Sequence, residues 1–153
     1  MAETSTPASV LVRCPFCTKL NRVAAAKVRD RPRCGECSRP LLLDRPVIVT
    51  GDDIERVVKE TDIPVVVDFY ADWCGPCKVM APVFDEVASQ RAGRVLFTKL
   101  DTDRSPDASI RYGIRGIPTF IVFHRGEELA RQVGAVPKQR LEQILDNAMA
   151  AAS

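Results

Sequence analysis

The apolar positions of the chain change period several times, and each change marks an element. Val65-Val66-Val67 and Phe69-Tyr70 form a nearly continuous apolar run, the pattern of a strand covered on both faces, interrupted only by Asp68. Val47-Ile48-Val49 and the stretch from Val95 to Leu100 predict two more strands. Ile54, Val57 and Val58 fall at helical spacing behind the acidic start Asp52-Asp53, and Asp62-Ile63-Pro64 stops them. Val79, Met80, Val83, Phe84 and Val87 predict the inward face of a helix from about Lys78 to Arg91, kinked by Pro82. Residues 106–112 predict a short helix. Two strands, 119–123 and 128–133, flank the hairpin turn Arg125-Gly126, and Pro137 opens a last helix with Leu141, Ile144, Leu145 and Met149 on one face. The order β-α-β-α-β-α-β-β-α predicts an α/β fold, a mixed central sheet with helices on both faces.

The first 46 residues follow a different pattern. Residues 1–9 are polar and predict a flexible tail. Val10-Leu11-Val12 and Leu41-Leu42-Leu43 predict the strands of a small ribbon, and Arg45-Pro46 predicts a joint. The expected organisation is a tail over 1–9, a ribbon module over 10–45 and the α/β domain over 46–153. No internal repeat and no low-complexity tract is visible.

Cysteine spacing gives the ribbon its chemistry. Cys14, Cys17, Cys34 and Cys37 read C-x2-C-x16-C-x2-C, a zinc-site spacing. Four thiolates suit tetrahedral Zn2+, each CxxC turn presenting two ligands, with Gly35 expected to permit the second tight turn. About 35 residues bury too little surface to fold alone, so a metal staple is expected on physical grounds. Four protein ligands leave no open position, which predicts one structural ion. The alternatives are two disulfides or four free thiols.

A third pair, Cys74 and Cys77, stands in Trp73-Cys74-Gly75-Pro76-Cys77-Lys78 between a predicted strand and a predicted helix. Cys74 then meets unpaired N–H groups and the positive end of the helix dipole, which favour a thiolate nucleophile. Cys77, one turn further, can close a small disulfide ring. Pro76 fits the first helical turn at no hydrogen-bond cost and leaves no amide to compete for the thiol. Stray core cysteines, or half of a metal site, are the alternatives.

Asp68 precedes Cys74 by six residues. A carboxyl in a buried strand must find a partner or lose its charge, which makes it a plausible proton acceptor for a nearby thiol. The alternative is a hydrogen-bonded structural Asp or a strand-end residue in water. Lys99 ends another strand, as a partner for Asp68 or as a surface lysine. Trp73 is expected to shield the dithiol and touch substrates, unless it is an ordinary core aromatic. Pro118, in Gly116-Ile117-Pro118-Thr119, opens a strand; a trans bond is usual there, and spacing does not establish a cis one. His124, the sole histidine, is expected near a turn with no ligand role.

Composition adds limits. The hydrophobic fraction of 46% supplies a core, and the net charge of +2 makes no claim on nucleic acid for the whole molecule. Residues 1–46 carry +5, but their arginines are scattered and only Phe16 offers a stacking platform, so a solvated basic surface is favoured over nucleic-acid contact. No apolar stretch is long enough to span a membrane, and the N-terminus lacks the pattern of a secretory signal. The expected location is the cytoplasm, where thiols stay reduced and six cysteines point to metal and catalysis.

From about residue 47 to 150 the sequence resembles the thioredoxin family. The likeness is carried by Val67-Asp68-Phe69, Trp73-Cys74-Gly75-Pro76-Cys77-Lys78, Lys99-Leu100-Asp101, Gly116-Ile117-Pro118-Thr119-Phe120 and Val133-Gly134-Ala135, while the four-cysteine module resembles that of the zinc-containing thioredoxins. Tyr70 and Phe120 differ from the commoner choices. The resemblance implies a thioredoxin fold and a protein-disulfide reductase in which Cys74 attacks and Cys77 resolves. Asp68 would assist proton removal from Cys77, with Lys99 beside it. Pro118 would be cis and present the Ile117 backbone to an extended substrate. Trp73, Gly75, Pro76, Gly116, Gly134 and Ala135 would complete the docking surface. Thioredoxin reductase and disulfide-containing client proteins are the implied partners of a monomer with no tightly bound organic cofactor. Two rival readings are a redox-sensing or holdase-type protein acting through oxidation and zinc release, and an exported oxidant.

Overall fold

Burial of the apolar run is complete: Val65, Val66, Val67 and Phe69 of strand β4 (Val65–Tyr70) are inaccessible to solvent in the computed structural model, which describes residues 7–152. β4 is the centre of a five-stranded sheet in the order β3-β5-β4-β6-β7. β3 (Val47–Ile48), β5 (Leu96–Asp101) and β4 run parallel, whereas β6 (Thr119–His124) and β7 (Glu127–Val133) are antiparallel additions joined by a hairpin. Arg125 and Gly126 both have positive φ, 52° and 87°, the twist that suits a two-residue hairpin loop.

Strand periodicity sorts the side chains of β4 between two cores. Val65, Val67 and Phe69 pack with Ile54, Val57 and Val58 of helix α1 (Ile54–Glu60) and Ala108 of helix α3 (Pro106–Arg111). Val66 packs on the other face with Met80, Phe84 and Val87 of helix α2 (Gly75–Gln90) and Leu141 and Leu145 of helix α4 (Lys138–Ala152). Asp68 shares the alternation of Val66 and so belongs to the α2 face. The mixed sheet with helices on both faces is as the sequence predicts. α2, however, begins at Gly75, and Val79 is exposed rather than inward. The buried stripe runs through Cys77, Met80, Phe84, Val87 and Ala88, because the dithiol itself occupies the first inward position.

The N-terminal module departs more from expectation. Strand β1 (Ser9–Arg13) pairs antiparallel with β2 (Leu20–Ala24), not with the three leucines. A 3-10 segment, Ala25–Asp30, comes next. Leu41 and Leu43 are buried, but Leu42 between them has φ 60°, which breaks any strand there. The hairpin partner is local because β1 enters the first cysteine turn and β2 leaves it. Residues 1–6 of the expected tail lie outside the described residues, and Ser9, its last residue, already pairs in β1.

The module has no core of its own. Val10, Val12, Val23, Val28, Leu41 and Leu43 belong to the same buried cluster as α1 and the sheet. Polar ties reinforce the contact. Thr61 Oγ1 accepts from Leu11 N at 3.0 Å, Asp62 Oδ2 from Ser9 N at 2.9 Å, and Arg13 pairs with Asp53 at 3.1 Å. Gly93, at φ 90°, allows the close approach, since a Cβ there would stand 3.3 Å from Ala25 O. Among the described residues no helix is long and apolar enough to cross a membrane.

Candidate functional site

Cys74 is the N-cap of α2, and its sulfur accepts a hydrogen bond from Cys77 N at 3.2 Å. Pro76 stands in the first turn, where its missing N–H leaves nothing unsatisfied. The two cysteines form a disulfide, with Cα atoms 5.2 Å apart. Both are buried among Ala71, Tyr70 and Ile117. Cys74 Sγ lies 3.7 Å from Ile117 O, and the Ile117-Pro118 bond is cis. Gly134 N donates to Pro118 O at 2.8 Å, so the loop after β7 is tied to the residue beside the dithiol.

Around this centre Trp73, Gly75, Pro76 and Ala135 are exposed, Gly116, Ile117 and Gly134 are half-buried, and Pro118 is buried. Trp73, 69% exposed, is not a core aromatic. Its indole N–H donates to Asp103 Oδ2 at 2.9 Å, which fixes a large apolar plate beside Cys74. Nothing in the spacing of the sequence pointed to Asp103, which a loop after β5 delivers from 30 positions away.

Asp68 is 1% exposed, and its Oδ1 has no hydrogen-bond partner among the described residues. Burial pushes its carboxyl up to about 7, Lys99 opposes that shift and Asp85 adds to it. Lys99 does stand beside Asp68 in register, but they form no ion pair. The Lys99 ammonium instead lies over the Tyr70 ring, 4.5 Å from its centroid. Asp85 is a second residue that the sequence reading missed. His124 is half-buried, a ring nitrogen 3.1 Å from Asp62 O, away from either cysteine cluster.

The other four cysteines converge. The sulfurs of Cys14, Cys17, Cys34 and Cys37 all lie within 4.8 Å of one another. Cys14–Cys37 and Cys17–Cys34 are separated by 3.7 and 3.6 Å. Ligands about 2.3 Å from a tetrahedral Zn2+ stand about 3.8 Å apart, so the donor set and its size fit that ion. Backbone N–H groups of Phe16 and Cys17 point at Cys14 Sγ, and Glu36 N and the Asn21 amide at Cys34 Sγ. Hydrogen bonds, that from the Cys37 backbone first, pull the Cys34 thiol down to about 6 against desolvation. The Lys19 backbone N–H favours a Cys17 thiolate, yet burial and the neighbouring sulfurs push that thiol up to about 12. Sulfurs this close cannot all be anionic without a cation among them. The left-handed residues of the two turns are Thr18 and Ser38, at φ 68° and 67°, and not Gly35. Each turn reverses one residue after its second cysteine, which is why Gly35 is not needed for it.

Comparison with known proteins agrees with this geometry. Residues 45–147 match the family model described as Thioredoxin. The chain belongs to the thioredoxin family. It is accordingly a thiol–disulfide oxidoreductase. Residues 13–39 match a second model, a zinc ribbon described as Thioredoxin 2, N-terminal. Thioredoxin C-3 of Corynebacterium nephridii is 37% identical over 90% of this chain and 94% of its own length. Thioredoxin of Allochromatium vinosum is 50% identical over 68% of this chain and 97% of its own, and Thioredoxin 1 of a Nostoc species 46% over 64% and 92%.

Proposed function

We propose that the chain is a protein-disulfide reductase, with a zinc-bearing module over 10–45 and the catalytic domain over 46–153. One observation carries this most: Cys74 Sγ takes the N-terminal hydrogen bond of α2 while lying against the Ile117 backbone. The cap and the helix dipole stabilise the Cys74 thiolate of the reduced protein. An extended client lies along Ile117 and the rim formed by Trp73, Gly75, Pro76, Gly116, Pro118, Gly134 and Ala135. Cys74 thiolate attacks one client sulfur, and the other leaves with the electron pair of the broken S–S bond. Asp68 takes the proton from Cys77. The Cys77 thiolate then attacks Cys74, releases the second client sulfur and closes the ring seen in the structure. Two electrons pass from the dithiol to the client, and a thioredoxin reductase of the cytoplasm restores the dithiol.

Cys14, Cys17, Cys34 and Cys37 hold one Zn2+, which supplies cross-linking and no chemistry of its own, since all four positions are filled by protein. Replacing Cys77 by Ser leaves Cys74 to attack with nothing to resolve the product. Covalent client complexes, reversed by reductant, are the expected outcome on non-reducing gels, with none from Cys74→Ser. Equal trapping by both variants, or by neither, would overturn the assigned roles.

A further inference from the structure

The arginines of the first 46 residues are scattered along the chain, yet the fold gathers four of them. Arg29, Arg31, Arg33 and Arg45, all exposed, line an open cleft of about 490 Å³ on the N-terminal module. Its apolar part includes the half-buried Pro40 and Leu42. Asp44 is the one acid among the described residues of the wall, so four arginines against one acid leave a net charge of +3. Three of the guanidiniums are held from different elements. Arg29 donates to Ser89 O and Gln90 O, at 3.3 and 3.1 Å, at the end of α2. Arg33 donates to Ser38 O at 3.0 Å in the second cysteine turn, and Arg45 to Asp44 at 2.9 Å at the joint. Each keeps N–H donors that these bonds do not use. The Arg31 side chain makes no hydrogen bond or ion pair among the described residues. Arg45, and Arg31 after it, hold the Asp44 carboxyl below the usual carboxylate range, so this wall already favours a carboxylate.

We propose that the cleft is a docking surface for an acidic peptide segment, several carboxylates beside an apolar side chain, carried by a disulfide-containing client at a distance from its disulfide. The proposal rests on the reductase reading and names a class of client for it. Positioned guanidiniums bind carboxylates through paired N–H donors, while the apolar side chain covers Pro40 and Leu42. Positive charge held at separate points of the wall suits an extended chain with several charges better than one compact anion. No aromatic ring lines the cleft among the described residues, so it offers no platform for the bases of a nucleic acid. The place of the cleft decides what docking does. Arg29 is bonded to the C-terminal end of α2, whereas Cys74 caps the other end. The 16 residues of α2 put the two ends roughly 24 Å apart. A docked segment therefore leaves the dithiol open, and its disulfide reaches Cys74 only through a linker of about seven residues or more. Held in this way, the client disulfide meets Cys74 at a raised effective concentration, after an encounter steered by charge.

The test uses the reduced full chain in single turnover, with peptides whose cysteine is disulfide-bonded to a fluorescent thiol. Release of that thiol is followed at low ionic strength. One peptide carries a Glu-Glu-Leu-Glu-Glu tail about 12 residues from its cysteine, and a second carries the same tail about 3 residues away. A third has Gln for every Glu at the longer spacing. The long-spaced acidic peptide should react about tenfold faster than the glutamine peptide, and the short-spaced one no faster. At about 0.5 M salt the advantage should vanish. Arg31→Gln combined with Arg45→Gln should remove most of it and leave the rate of the glutamine peptide unchanged. Arg31→Glu alone, at a side chain with no partner to lose, should act in the same direction. Equal rates for acidic and glutamine peptides, or an advantage that survives both variants, overturn the docking surface and leave the reductase reading standing. An advantage independent of spacing also overturns it, because the segment would then bind elsewhere. Release from none of the peptides overturns the reductase reading, and this proposal with it. If tripolyphosphate or an oligonucleotide cancels the advantage at far lower concentration than the free acidic tail does, the cleft belongs to a phosphate ligand and the peptide assignment falls.

Discussion

The cysteine turn at 74–77 and the two at 14–17 and 34–37 are built alike up to their second cysteine. In each, an N–H three residues on points back at the first sulfur, at 3.2 Å for Cys77 on Cys74 and 3.4 Å for Cys17 on Cys14. They part at the next residue. After Cys77 the backbone stays helical for the rest of α2. After Cys17 and Cys37 it turns left-handed at Thr18 and Ser38, and Lys19 O and Arg39 O return to accept from Cys14 N and Cys34 N. One arrangement leaves a single pair at the end of a dipole, beside the half-buried Ile117 backbone. The other folds two pairs face to face into a closed tetrahedron. A CxxC turn thus polarises its first sulfur in either setting, and the path of the backbone beyond its second cysteine decides between reaction and coordination.

The strongest way to break this contrast is to strip the four cysteines of the Zn2+ proposed for them. Chelation under reducing conditions should destabilise the whole chain by roughly 5 kcal/mol, read by chemical denaturation, because the module shares its core with α1 and the sheet. Disulfide reduction at a temperature where the domain stays folded should persist. Loss of activity as complete as in Cys74→Ser would mean that the two cysteine regions do not work separately.

A smaller effect concerns Asp68, the buried acid of the central strand. The carboxyl of Asp68 is raised from 3.8 to about 7, so between these values the folded state keeps a proton that the unfolded chain releases. Its contribution to stability is therefore fully present below pH 3.8 and lost as pH rises through about 7. Asp68→Asn should gain on the order of 4 kcal/mol relative to wild type on going from acid to pH 8. A pH-independent difference in thermal denaturation would show that Asp68 is not a buried, titrating group.

The smallest effect concerns the seam. Asp53 accepts from Arg13 at 3.1 Å and from Thr50 N at 2.7 Å, and it is largely buried. Asp53→Ala should cost about 1 kcal/mol. No change in the unfolding midpoint would mean that the polar ties between module and domain are passive, leaving adhesion to the shared apolar core.

Elements dominated by local pattern were legible from residues alone. β4 follows directly from its apolar run, and α1 from Ile54, Val57, Val58 and the Asp62-Ile63-Pro64 stop. The dithiol was legible too, because its chemistry needs only two cysteines and a helix start. The ribbon strand was misplaced since Leu41-Leu42-Leu43 is apolar for another reason: two of its leucines complete the core of the neighbouring domain. Val79 is apolar like its neighbours, but the packed stripe passes through Cys77, Met80 and Phe84 and leaves it exposed, a choice of face that tertiary packing makes. Asp103, Asp85 and the Lys99–Tyr70 contact carry no sequence signal, as each depends on which side chains meet across elements.

By itself the chain's order of residues determined the strand and helix periods, the helix start that polarises Cys74, and the pairing of cysteines by close spacing. These are decided within a few residues, by backbone geometry and burial. Tertiary packing alone decided that Asp68 Oδ1 has no hydrogen-bond partner among the described residues, that Trp73 is anchored to Asp103, and that the four-cysteine module is fused to α1 by one core. Such outcomes depend on distances between residues far apart along the chain, which no local pattern encodes.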